Sequence, residues 1–123
     1  MSEAASTGTE LLAFRPNMPV ADLDAALAFY RDLLGFEAAH VEPGLAILRS
    51  GGAEVALVVD ANPAPAGAYL YVRGVEGLHR RMLDAGMEVT RPLQQQPWGL
   101  HDFVVRDPDG HAIGIGEWIQ PAA

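Results

Sequence analysis

The side chains best equipped for chemistry are Tyr69 and Tyr71, two apart, Trp98 and His101, three apart, and Trp118. Residues two apart in an extended segment share a face. There, two tyrosines offer flat apolar rings and a hydroxyl each, suited to stacking a planar ligand and orienting it. The competing reading is that they fill space and hold parts of the chain together. His101 is the best candidate for a polar or acid-base group, although a lone histidine also serves well as a structural hydrogen-bond partner. The chain has no cysteine, which removes disulfides, thiolate nucleophiles and thiolate zinc sites, so any metal would need His, Asp or Glu. No glycine-rich phosphate loop, serine elbow or close histidine pair is present. Binding, acid-base catalysis and oxygen- or nitrogen-ligated metal chemistry remain.

These residues sit in 123 residues, half of them apolar and 20% charged, enough for one globular domain. A net charge of −8 disfavours phosphate backbones and anionic membranes as partners and suits a cationic or neutral small molecule. An acidic surface also serves solubility alone. No apolar run approaches the roughly 20 residues of a membrane span, and Met1–Glu10 lacks the basic start and apolar stretch of a secretory signal. A cytoplasmic location is expected.

Helical spacing from Asp22 to Leu34 predicts an amphipathic helix capped by Asp22 and stopped by Gly35, and a second is predicted from Val75 to Ala85, ended by Gly86. Leu34-Gly35-Phe36-Glu37 is echoed by Ala85-Gly86-Met87-Glu88. Each helix is preceded by a short strand, Phe14–Val20 or Ala66–Val72. Each is followed by a hairpin, turning at Ser50-Gly51-Gly52 or at Asp107-Pro108-Asp109-Gly110. The chain therefore reads as a tail over residues 1–10, a first βαβββ module over 11–60, a linker over 61–65 and a second module over 66–123. The fold class is α+β: two βαβββ repeats forming a curved mixed-sheet cup with helices outside and the ligand site within.

Pro16-Asn17-Met18-Pro19-Val20-Ala21-Asp22-Leu23 running into Ala28-Phe29-Tyr30-Arg31-Asp32-Leu33-Leu34-Gly35-Phe36, together with Gln96-Pro97-Trp98-Gly99 and Asp107-Pro108-Asp109-Gly110, resembles the vicinal oxygen chelate superfamily of glyoxalases, bleomycin resistance proteins and dioxygenases. The likeness runs from Phe14 to Trp118 and is nearest to the bleomycin-resistance-like branch. Enzymes of the superfamily hold a divalent metal through inward-facing His, Glu or Gln. By the resemblance those positions fall here on Arg15, Ala56, Gly67 and Gly114, none of which has a lone pair to give. Glu117, three residues beyond Gly114, falls on the opposite strand face and reads as a solvated strand-end charge.

The same frame places Ala112, Gly114 and Gly116 on the cup side as a hollowed wall able to take a bulky guest, with Gly67, Tyr69 and Tyr71 beside them. If Arg106 pairs with His111, then His101 and Phe103 lie opposite Gly116 and Gly114 on that wall. Trp98 and Trp118 fall at the rim. Asn17 faces in from the first strand, where it could fix ligand polarity or satisfy backbone groups beside Pro16 and Pro19. His79, Arg80 and Arg81 read as a solvated helix face, His40 has no clear partner, and the conformation of Arg91–Pro97 is open.

Two functions compete. The resemblance implies a metal-free, cofactor-free homodimer that sequesters a planar, cationic or neutral small molecule such as a bleomycin-type antibiotic. The expected ligand-binding residues are Asn17, Tyr69, Tyr71, Trp98, His101, Phe103, Gly114 and Trp118, with no catalytic and no metal residue. The alternative is a glyoxalase-like lyase or isomerase, or a dioxygenase, using a divalent metal on unusual ligands such as Glu54, His101 or Glu117, or using His101 alone.

Overall fold

A computed structural model describes residues 8–119. Residues 1–7, most of the expected tail, and 120–123 lie outside the described residues. The chain runs through β1 (Asn17–Val20), α1 (Leu23–Leu27, continued by π-helical turns over Ala28–Leu33), β2 (Glu37–Glu42), β3 (Leu45–Ser50) and β4 (Ala53–Val59). It repeats the pattern through β5 (Gly67–Tyr71), α2 (Val75–Asp84), β6 (Val89–Gln95), β7 (Leu100–Arg106) and β8 (Ala112–Trp118). The two sheets have matching orders, β1-β4-β3-β2 and β5-β8-β7-β6. In each, the strand before the helix pairs in parallel with the last strand of its unit, and the other pairs are antiparallel. The α+β fold of two βαβββ repeats follows.

Local chemistry sets the helix ends. Asp22 accepts from the Ala25 N–H at 3.2 Å, and Gly35 and Gly86 take φ of 101° and 76° at the two exits, a conformation glycine adopts without a Cβ clash. Gly74, at the start of α2, has no side chain to cap with, and the deficit is met from elsewhere. Oε1 of Glu117 accepts from the Gly74 and Val75 N–H groups, both at 3.0 Å. Glu117 is therefore a helix cap supplied by β8, not the solvated charge expected, and it is matched to the positive end of the helix dipole.

Alternation then decides which faces are covered. Met18, Val20, Leu48, Val55 and Leu57 of the first sheet pack with Ala26, Leu27, Phe29 and Tyr30. Phe103, Val105, Ile113 and Ile115 of the second pack with Val75 and Met82, and all belong to one continuous core. Burying such side chains contributes about 1.5–3 kcal/mol each relative to exposure. The opposite face of each sheet carries no helix.

The register of the closing hairpin differs from expectation. Arg106 pairs with Ala112, not His111, so Asp102 and Val104 lie opposite Gly116 and Gly114, while His101 and Phe103 lie opposite Glu117 and Ile115. A one-residue slip exchanges the faces of a whole strand. The turn that sets it is braced by the carboxylate of Asp107, which accepts from the Asp109 N–H at 2.9 Å and the His111 N–H at 2.8 Å. The Asp107 N–H donates to the His111 carbonyl at 3.0 Å and the Gly110 N–H to the Asp107 carbonyl at 2.9 Å, so Asp107 faces His111 across a turn of three residues, 108–110, with Gly110 at φ 82°. Other segments that were open or expected otherwise also take definite form. Arg91–Gln95 is strand, within an irregular β6. His79 packs edge-on against Phe103 at 4.9 Å, and Arg81 donates to the Leu33 carbonyl at 2.9 Å, so that helix face is only partly solvated. His40 pairs with Glu42 at 2.8 Å.

The two motifs that carry the family likeness meet in space and join the repeats. The Tyr30 hydroxyl donates to Oδ2 of Asp107 at 2.7 Å, and the Ala21 N–H donates to Oδ1 of Asp109 at 2.9 Å. His111, fully buried, accepts from the Ala66 N–H on Nδ1 at 2.9 Å. That bond fixes the proton on Nε2, which donates to the Pro19 carbonyl at 2.6 Å.

Candidate functional site

The uncovered face of the second sheet is built on two glycines. An added Cβ on Gly114 would stand 2.6 Å from Cδ2 of Tyr69, and one on Gly116 would overlap the Tyr69 hydroxyl and stand 2.9 Å from Cβ of Asp102. The Tyr69 ring thus lies across the hollow expected to receive a guest. The wall is small-sided as predicted, but this tyrosine is its occupant.

Beneath that ring is a carboxylate absent from the expected site. Asp102 is 1% exposed. Its Oδ2 accepts from the Tyr69 hydroxyl at 2.6 Å, and its Oδ1 from Nη1 of Arg91 at 2.9 Å and Nε2 of Gln96 at 3.0 Å. The register shifts in β6 on either side of Arg91 re-aim that side chain toward the uncovered face. Burial alone would push the Asp102 carboxyl up; the hydrogen bonds from Arg91, Tyr69 and Gln96 outweigh it and hold the carboxyl below its usual range. Burial and then the bond to Asp102 push the Tyr69 phenol up. A charged residue inside the apolar run Leu100–Val105 was the available signal, because such a group is buried only when paired.

From Tyr69 the aromatic surface continues outward. Tyr71 tilts against Tyr69 with ring centres 5.1 Å apart, and Trp118 stacks on Tyr71 at 5.7 Å with planes 9° apart. Trp118 packs beside Gly99, next to Trp98, which is 62% exposed. A shallow groove of about 620 Å³ is lined by Tyr71, Val72, Arg73, Glu117 and Trp118. Among the described residues the Tyr71 hydroxyl has no hydrogen-bond partner, whereas the Tyr69 proton is committed to Asp102. Among the described residues of this surface, the hydroxyl proton left for a ligand is that of Tyr71.

The expected site residues divide accordingly. Tyr69, Tyr71, Gly114 and Trp118 come together, and Trp98 stands at the adjoining turn. Asn17 is exposed on the uncovered face of the first sheet, opposite Ala56. Phe103 does not line the site: it is fully buried beneath α2, for the register reason above. His101 is likewise turned to the helix-side face, across from Glu117.

The donor set for a superfamily metal does not fit. Ala56 pairs with Asn17, Gly67 with Ala112, Gly114 is covered by Tyr69, and Arg15 is exposed ahead of β1. Glu54 forms an ion pair with Arg49, and Glu117 is spent on α2. Asp107, Asp109 and His111 do bring ligand-type atoms within 4.8 Å of one another. Asp107 and His111, however, already spend both carboxylate oxygens and both ring nitrogens on hydrogen bonds within the closing turn and between the repeats, and Asp109 holds Ala21.

A small paired-βαβββ protein with one aromatic, glycine-floored sheet face is what the fold and site define. A family model described as the Glyoxalase/Bleomycin resistance protein/Dioxygenase superfamily matches residues 14–115, and the chain belongs to this family. It is 27% identical to a bleomycin resistance protein of Geobacillus stearothermophilus, over 85% of this chain and 96% of that one. A bleomycin resistance protein of Staphylococcus aureus matches to the same extent. Among solved structures it is similar to TioX from Micromonospora sp. ML1 (TM-score 0.80, 24% identity, 88% of this chain and 99% of the other). It is also similar to a lactoylglutathione lyase from Agrobacterium tumefaciens (TM-score 0.75, 25% identity, 89% and 95%).

Proposed function

We propose that the protein is a cofactor-free binder that sequesters a planar small molecule, cationic or neutral, of the bleomycin type, and so serves drug resistance or self-protection in the cytoplasm. The observation that carries this reading is the Tyr69–Tyr71–Trp118 surface, whose Tyr69 ring covers Gly114, one of the positions where metal-dependent relatives would need a donor. Stacking on such rings contributes about 0.5–1.5 kcal/mol per pair beyond burial. The net charge of −8 speeds encounter with a cation. Ligand contacts are assigned to Asn17, Tyr69, Tyr71, Trp98 and Trp118, with Gly114 as floor. The likeness to bleomycin resistance proteins supports the choice of ligand.

A homodimer is part of the proposal. Leu11, Leu12 and Phe14 are 85–87% exposed ahead of β1, an apolar arm that one copy leaves uncovered. Light scattering should give twice the monomer mass, and removing residues 1–15 should shift it toward monomer.

Titrating the protein with metal-free bleomycin while following tryptophan fluorescence tests the binding. Saturable quenching is expected, and Trp118→Ala should weaken it about tenfold or more. A stoichiometric divalent ion with lyase or dioxygenase turnover would instead favour an enzyme.

A further inference from the structure

We propose that Asp102 is a positioning residue for the ligand surface: it clamps the Tyr69 ring onto Gly114 and Gly116 and thereby fixes the plane of the Tyr71–Trp118 stack. The inference rests on the reading of that surface as the binding face, and it deepens it by saying what ligand chemistry the surface accepts.

The geometry runs in one direction. Asp102 is out of reach of any ligand, at 1% exposed, with both oxygens engaged by three donors. Tyr69 remains 40% exposed, so packing on its outer side does not hold it. What holds it flat is the bond from its hydroxyl at 2.6 Å, over a floor where no Cβ intervenes. Tyr71 leans on Tyr69, and Trp118 lies parallel to Tyr71. A ring free at its hydroxyl end would rotate toward solvent and take the support of Tyr71 with it. A bond to an ionised acceptor is the stronger kind and suits this duty.

Ligand chemistry follows from the same contacts. The negative charge of Asp102 is paired with Arg91, so the inner part of the face offers no bare anion to a cationic group. The class selected there is a flat, uncharged aromatic system with an acceptor within reach of the Tyr71 hydroxyl. A cationic portion of the ligand would project away from this floor.

The test uses two variants that leave the carboxylate in place. Tyr69→Phe keeps the ring and deletes the latch, and Gly114→Ala pushes the ring off its floor. Near-ultraviolet circular dichroism reads the Tyr71–Trp118 stack without any ligand. Both variants should lose most of that band while retaining the far-ultraviolet spectrum. Metal-free bleomycin should then bind roughly fivefold to tenfold more weakly to Tyr69→Phe. Asp102→Asn should reproduce the effect, and adding it to Tyr69→Phe should weaken binding little further, as expected of one shared interaction. Tyr69→Phe with an unchanged band overturns the proposal whether or not bleomycin binds. A lost band in a protein that never binds bleomycin upholds the positioning role and refutes the proposed function. An unchanged band in a protein that binds refutes the positioning role alone.

Discussion

Strand β7 carries the aspartate of one tyrosine–aspartate pair within it and that of another just past its end, and the two pairs do different work. Tyr30 with Asp107 is buried where the repeats meet; Tyr69 with Asp102 lies on the uncovered face with its ring half open. Bond lengths are alike at 2.7 and 2.6 Å. Chemistry does not separate the roles; surroundings do. Asp107 gives its remaining acceptor capacity to backbone N–H groups and so shapes a loop. Asp102 gives its remaining capacity to side chains and so holds a surface. The first pair is scaffold, the second holds the surface proposed for recognition, and each can be broken separately.

The largest effect is expected at the scaffold pair. Asp107→Ala removes three hydrogen bonds and leaves the buried Tyr30 hydroxyl without an acceptor. It should cost about 3 kcal/mol, read by urea unfolding. Gly116→Ala strikes the recognition pair by displacing Tyr69 and crowding Cβ of Asp102. About 2 kcal/mol of stability should go, together with most ligand binding, while Asp107→Ala variants that still fold should keep their affinity. Glu117→Gln, which weakens the charged cap on α2, should cost about 1 kcal/mol by the same unfolding measurement.

The smallest effect distinguishes the pairs by pH. Both phenols are raised, first by burial and then by their aspartates. A raised folded-state value means the contribution is complete below the unfolded phenol value of about 10 and is lost as pH rises beyond it. Stability should therefore fall above about pH 10. Tyr30→Phe should flatten that fall more than Tyr69→Phe, because Tyr69 is partly solvated. Asp102 has the opposite sign: held low, it contributes above the unfolded carboxylate value of about 3.9 and loses that contribution as pH falls below it.

The comparison also explains what the sequence could tell. Residues around Pro19, Ala21, Tyr30, Asp107 and Asp109 make the family legible because they are the joint between repeats, a requirement of the fold whatever the ligand. Helix periodicity, glycine exits and hairpins were local and readable. The register of the closing hairpin was not, because a turn of three residues between Asp107 and His111 replaces one of four, and counting from an Arg106–His111 pair puts His101 and Phe103 on the wrong face. Tyr69, Tyr71 and Gly114 could be placed together by alternation, since β5 and β8 run in parallel. Asp102 could not be given its partners, because Arg91 and Gln96 reach it only through the irregular β6. Glu117 was hidden for a similar reason: its task is set by Gly74, 43 residues away.

The most direct test of the account is a fluorescence titration with metal-free bleomycin, run in excess chelator on wild type and on Trp118→Ala. Saturable quenching in chelator, weakened at least about tenfold by the substitution, is the predicted result. Binding that appears only when a divalent ion is restored, or that ignores the loss of Trp118, would contradict it.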